Sequence, residues 1–220
     1  MWLRLLSSLF ALVLVSSCSG SDGVDVITSG PGADSPGEAV AELRALLAAG
    51  DFDQASGLAV PGHAALASLS EGATFGQVAE ALRSGDSAVA ANFWAGFAQG
   101  VGEVFSPGSV VAESGTRTES GVEFHLVGVT PTEGNERIMA TQEIEGHRVD
   151  LFASFSAGFA GRMISPVEIL LAASTDDAAL ILSELRGTVP SLVVAGSDES
   201  LPPATVQEIL RLIELITRLG

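Results

Sequence analysis

The sequence predicts an α+β protein in which N-terminal helices pack on a curved antiparallel sheet of about four strands, followed by additional C-terminal helices. Three observations carry that expectation. Residues 36–100 place apolar side chains at helical spacing between capping signals, residues 109–155 switch to alternation of period two, and residues from 157 onward return to helical spacing. The turns between the strand-like segments are short, whereas parallel crossovers need a dozen or more residues, so the strands are expected to form an antiparallel meander.

The first element is a leader. Arg4 gives a short basic region, and Leu5 to Val15 is uncharged and broken only by Ser7 and Ser8. A spanning helix needs roughly 20 apolar residues, so this stretch suits the hydrophobic core of a signal peptide. Leu14-Val15-Ser16-Ser17-Cys18 resembles the lipobox of bacterial lipoproteins, and Cys18 is the one cysteine of the 220 residues. The resemblance implies a signal peptide over 1–17, acylation of the Cys18 thiol, and cleavage before it. The chain is then expected in the cell envelope, lipid-anchored at the outer face of the cytoplasmic membrane. With Cys18 lipidated, no thiol remains for a disulfide, a metal or nucleophilic catalysis. Residues 18–35 form the expected tether: SGSDGVDVITSGPGADS after Cys18 is too poor in apolar side chains to order itself. A flexible chain of that length has a typical end-to-end distance of about 23 Å. Val24-Asp25-Val26-Ile27 has the alternation of a short edge strand.

Ser35-Pro36-Gly37-Glu38 is a helix start, with a capping Ser, Pro at the first position and Glu to close a capping box. That helix carries Val40, Leu43 and Leu47 and stops at Gly50. Asp51 opens a short second helix, Thr74-Phe75-Gly76-Gln77 a third ending near Gly85, and Asp86 or Ser87 a fourth. Strands are expected over 109–118, 121–130, 136–144 and His147–Phe155, with turns at Ser120-Gly121, Glu133-Gly134-Asn135 and Glu145-Gly146. Residues 157–173 read as helix, Thr175 or Asp176 caps another ending at Gly187, and Pro202-Pro203 introduce a last one over 204–219. These divide the chain after the tether into a body over 36–156 and a helical extension over 157–220 packed on it.

Helices followed by a twisted antiparallel sheet resemble the nuclear-transport-factor-2-like, or cystatin-like, cone domains. The likeness rests on Ser35 to Val40, on Gly50-Asp51-Phe52-Asp53-Gln54-Ala55, and on Glu145-Gly146-His147-Arg148-Val149-Asp150-Leu151. It departs from the family where His147 or Arg148 stands in place of the expected Trp. It implies a ligand cavity inside the curved sheet, closed at the mouth by helices, and in some members a carboxylate that works as acid or base. A Lys-free chain rich in Ala, Gly, Leu and Val points to a GC-rich, actinobacterial genome.

Charge excludes one class of partner. There is no Lys, 27 acidic residues face ten Arg, and the formal net charge is −17. Phosphate backbones require clustered positive charge, so nucleic acid is set aside. The expected partners are the membrane, through the lipid on Cys18, and a small apolar ligand or envelope protein. No metal or cofactor is implied: His63, His125 and His147 show no zinc spacing. His63 reads as a solvated or capping histidine, while His125 and His147 come near one another only if the strand register allows.

Asp150 is the one carboxylate considered for catalysis, acting with His125 or His147 as an isomerase, cyclase or dehydratase would. Burial in an apolar cone raises a carboxylate into the range of a working base. The competing expectation is an exposed Asp150 paired with Arg148. The phenol donor familiar in ketosteroid-isomerase-like members is missing, because the chain has no Tyr. Phe93, Trp94 and Phe97 read as core, with cavity lining as the alternative. The reading that results is a non-catalytic binding module on a lipid tether.

Overall fold

A computed structural model describes residues 32–85, 88–100 and 108–218. Cys18, the Val24–Ile27 segment and the Asp86/Ser87 helix start lie outside the described residues. The fold is α+β: an open, four-stranded antiparallel sheet in the order β1-β2-β3-β4, with ten α-helices among the described residues. The helices are α1 (Pro36–Ala49), α2 (Phe52–Gly57), α3 (His63–Ala67), α4 (Phe75–Ser84), α5 (Ala88–Gly100), α6 (Leu151–Phe155), α7 (Ala160–Ala172), α8 (Asp176–Gly187), α9 (Val189–Gly196) and α10 (Pro203–Thr217). The strands are β1 (Val110–Glu119), β2 (Val122–Thr130), β3 (Arg137–Glu143) and β4 (His147–Val149).

Several helix ends follow from local chemistry. The Ser35 hydroxyl accepts from the Glu38 N–H, and Gly50 closes α1 in the left-handed region at φ 75°. Thr74 and Gln77 form a reciprocal capping box on α4, and the Thr175 hydroxyl accepts from Ala178 N–H at the start of α8. A cap of this kind contributes about 1 kcal/mol.

One expected strand is shorter than its alternation suggests. His147–Phe155 pairs only as far as Val149, and Leu151–Phe155 is helix. The reason is Asp150, whose carboxylate accepts the Ala153 N–H at 2.9 Å and caps α6. Leu151 and Phe155 are also four apart, so helix and strand periodicities coincide over so short a stretch. α3 and α9 are further helices that the sequence pattern did not resolve. The first sits in an Ala-rich run, and the second follows α8 with only Thr188 between them.

Strand register decides which side chains share a face. His125 pairs with Thr141 and Thr141 with Val149, while Leu126 pairs with Ala140 and Arg117 with Phe124. Val127, Val129, Met139, Thr141 and Val149 therefore lie on one face, which α1 crosses with Val40 and Leu43. Phe124, Ala140 and Val122 lie on the other, where they pack with Ala153 of α6 and Val194 of α9. The free side of β4 is covered. Ala33 exchanges hydrogen bonds with His147 at 3.0 and 2.8 Å, and Val149 bonds to Leu58 and Val60. Covering it removes an unpaired strand edge.

At the first of these contacts two glycines cross. A Cβ on Gly32 or on Gly146 would come within 2.7–2.8 Å of the other's backbone, and Gly146 also has φ +98°. The main core runs without interruption from Ala33 to Ile216 and includes side chains from α7, α8, α9 and α10. Trp94 and Phe93 are its largest aromatic pair, with Trp94 Nε1 donating to Ser56 Oγ at 2.7 Å. No single helix among the described residues is long and apolar enough to cross a membrane.

Candidate functional site

Asp150 is not exposed: it and Arg148 are both 0% accessible. They take separate partners. Arg148 donates from Nε to the Ile144 carbonyl at 3.0 Å and from a terminal nitrogen to the Gly57 carbonyl. Burial pushes its guanidinium below the usual arginine value, against the opposing charge of Glu145. The side chain is a strut between α2 and the β3–β4 turn.

Asp150 is the hub of a second buried network. Ser191 Oγ of α9 and Gln142 Nε2 of β3 each donate to Oδ2 at 2.6 Å, while Oδ1 receives the Ala153 N–H. His63, the first residue of α3, brings Nδ1 to 3.4 Å from Oδ1, off line for a hydrogen bond. His63 is itself 6% exposed and meets the Phe152 ring edge-on at 5.0 Å between centroids. The expectation of a solvated His63 is therefore corrected. Burial alone raises the Asp150 carboxyl. The neighbouring imidazole and the Ser191 and Ala153 donors outweigh it and hold the group below the ordinary carboxylate value. Such a carboxylate stays ionised and is fully engaged as an acceptor. It makes a poor general base and a good staple for β3, α3, α6 and α9.

His125 and His147 do meet, with ring centroids 4.9 Å apart and planes at 88°. They share the sheet face that α1 crosses, whereas Gln142 and Arg148 are register partners on the opposite face. The structure thus joins the two histidines to each other and joins Asp150 to His63. Among the described residues, no three His, Cys, Asp or Glu side chains gather as a metal-binding group.

A cavity of about 710 Å³ opens beside the Phe124 face of the sheet. Leu126, Ile138 and Ala140 contribute from β2 and β3, Phe93 and Phe97 from α5, and Phe155 and Phe159 from the segment around α6. The four phenylalanines form a continuous corner: Phe93–Phe97 centroids are 5.3 Å apart, Phe97–Phe155 4.6 Å and Phe93–Phe159 6.1 Å. Two arginine ties bridge its walls. Arg117 of β1 donates to the Ser197 hydroxyl just after α9, and Arg162 of α7 pairs with Glu71 at 2.7 Å. Asp150, His63, His125 and His147 are absent from the lining. Phe93 and Phe97 thus serve core and cavity together, while Trp94 is core.

No family model, curated protein or solved structure matches the chain. The lining runs from Glu71 to Thr205, segments 134 residues apart that period and motif do not bring together. The one local signal was the aromatic spacing of Phe93 and Phe97.

Proposed function

We propose that this protein is a lipid-tethered, extracytoplasmic, non-catalytic module that binds a small apolar ligand in the cavity between the sheet and α5, α6 and α9. The observation that carries this reading is the cavity. Its size falls within the roughly 300–1,000 Å³ typical of small-molecule sites. It has an aromatic wall and polar groups at the rim, and Ile138 is 44% exposed on its floor. The lipobox and the acidic tether supply the address: Cys18 carries the lipid, and the net negative charge keeps the folded part off anionic headgroups.

The cone-like arrangement of residues 36–156, with 157–220 as an added helical lobe, belongs to the same proposal. It is supported by the antiparallel meander and by α1 lying across one face of the sheet. The isomerase-like alternative loses ground to the placement of Asp150, which is sealed from the cavity with both oxygens occupied.

The test uses Gly158, which lines the cavity and where a Cβ would meet nothing within 4 Å. Gly158→Phe should occupy part of the cavity without disturbing the fold and should weaken uptake of an apolar fluorescent dye. Equal dye uptake by this variant and the parent, at equal thermal stability, would contradict the proposed site.

A further inference from the structure

Resting on the binding-module reading above, we propose that the cavity takes a single-chain amphiphile with an anionic oxygen head, its chain along the phenylalanine corner and its head at Arg117.

Two parts of the cavity lining differ in chemistry. In one, the rings of Phe93, Phe97 and Phe155, tilted and edge-to-face, offer an apolar wall with no hydrogen-bonding requirement. In the other, Arg117 shares the face of Phe124 and Leu126, because it is the register partner of Phe124. Its guanidinium has five N–H donors in a planar fork. One N–H donates to the Ser197 hydroxyl, and Glu119 forms an ion pair with the other terminal nitrogen at 3.6 Å. Donors remain for an oxyanion, which this fork recognises in pairs.

The charge pattern of the wall agrees. In the whole chain 27 acids face ten arginines, yet the cavity lining holds Arg117, Arg137 and Arg162 against Glu71, Asp198 and Glu199. Glu71 and Arg162 pair with each other, and Asp198 accepts the Ser200 N–H at 2.8 Å. Arg137, at the start of β3, is exposed and forms no ion pair among the described residues. The lining is thus formally neutral in a chain whose net charge is −17.

The experiment compares three ligands of one chain length by calorimetric titration: dodecanoate, dodecanol and dodecyltrimethylammonium. The protein is the chain from Ser19 onward, which keeps every described core residue. Dodecanoate should bind about tenfold more tightly than dodecanol, the scale of one charge-assisted fork, and the cation more weakly than either. Arg117→Gln should erase the preference for the carboxylate and leave dodecanol unchanged. Arg83→Gln, which breaks an exposed pair with Asp177 between α4 and α8, should keep the preference. Equal binding of acid and alcohol, a preference for the cation, or a carboxylate preference that survives Arg117→Gln would each overturn the assignment while leaving the cavity as a binding site. If none of the three ligands binds, the binding-module reading falls and this inference falls with it.

Discussion

Asp150→Ala is the substitution whose effect follows most directly from the structure. It removes the cap of α6, an acceptor for two donors at 2.6 Å, and the anionic neighbour of His63. The cap contributes about 1 kcal/mol. Leaving the buried Ser191 hydroxyl without its acceptor costs roughly 1–3 kcal/mol, and the partly buried Gln142 amide about half that. Relief from holding a buried charge offsets part of the loss. The net expectation is a destabilisation of about 3 kcal/mol, or roughly 6–12 °C in Tm for a domain of this size. Asp150→Asn keeps Oδ1 as the cap acceptor but sets an amide NH2 against the Ser191 and Gln142 donors, and should cost about 2 kcal/mol.

Urea denaturation followed by far-UV circular dichroism measures these values, and a cycle with Ser191→Ala isolates the pair. Coupling of about 1 kcal/mol or more is expected for groups in direct contact. A loss under about 1 kcal/mol for Asp150→Ala, with no coupling to Ser191, would refute the role of the carboxylate as a staple.

The remaining predictions concern pH, the glycine crossing, the core and the anchor. Because the Asp150 carboxyl is held below its ordinary value, folding favours the ionised form. Its contribution is full above the unfolded value near about 4 and is lost as pH falls through the lower folded value. Between pH 7 and pH 3 the wild type should therefore lose more stability than Asp150→Asn, read as the shift in urea midpoint; parallel curves would contradict this. Gly146→Ala forces a Cβ onto the Gly32 backbone at a positive φ. It should cost about 1–3 kcal/mol and speed hydrogen exchange at the Ala33 and His147 amides, with exchange unchanged if the crossing has no role. Trp94 is the single tryptophan of residues 18–220 and is 0% exposed, with its N–H on Ser56. Its emission should be blue-shifted and shielded from iodide, and Trp94→Phe should destabilise by about 2 kcal/mol, which urea melts will register. Cys18→Ser should move the protein from the membrane to the soluble fraction on immunoblots of fractionated cells; retention in the membrane would contradict the lipid anchor.

Much of the architecture was legible because it depends on neighbours in sequence. Ser35-Pro36, Thr74 with Gln77, and Thr175 mark helix starts through side chains that reach only three residues ahead. Val122, Phe124 and Leu126 announce a strand by alternation. The boundary at Asp150 was legible in principle: Asp before Leu-Phe-Ala is an N-cap pattern, but it was masked by an alternation that Leu151 and Phe155 satisfy equally well as a helix. The partners of Asp150 were not legible. His63 and Ser191 lie 87 and 41 residues away, and only the packing of α3 and α9 brings them to one carboxylate. The cavity has the same character, since Arg117, Phe97, Phe155 and Ser197 meet only after β1, α5, α6 and the end of α9 are in place. Parity did place His125 opposite Phe124 and Leu126, and the register then set its ring against His147.

Native mass spectrometry of the protein extracted gently from its own membranes tests the tethered binding module most directly. The expected spectrum shows a chain beginning at an acylated Cys18 and carrying one small amphiphile, which Gly158→Phe retains less well. A chain with an unmodified N-terminus upstream of residue 18, and with no retained molecule in either form, would contradict both the anchor and the cavity.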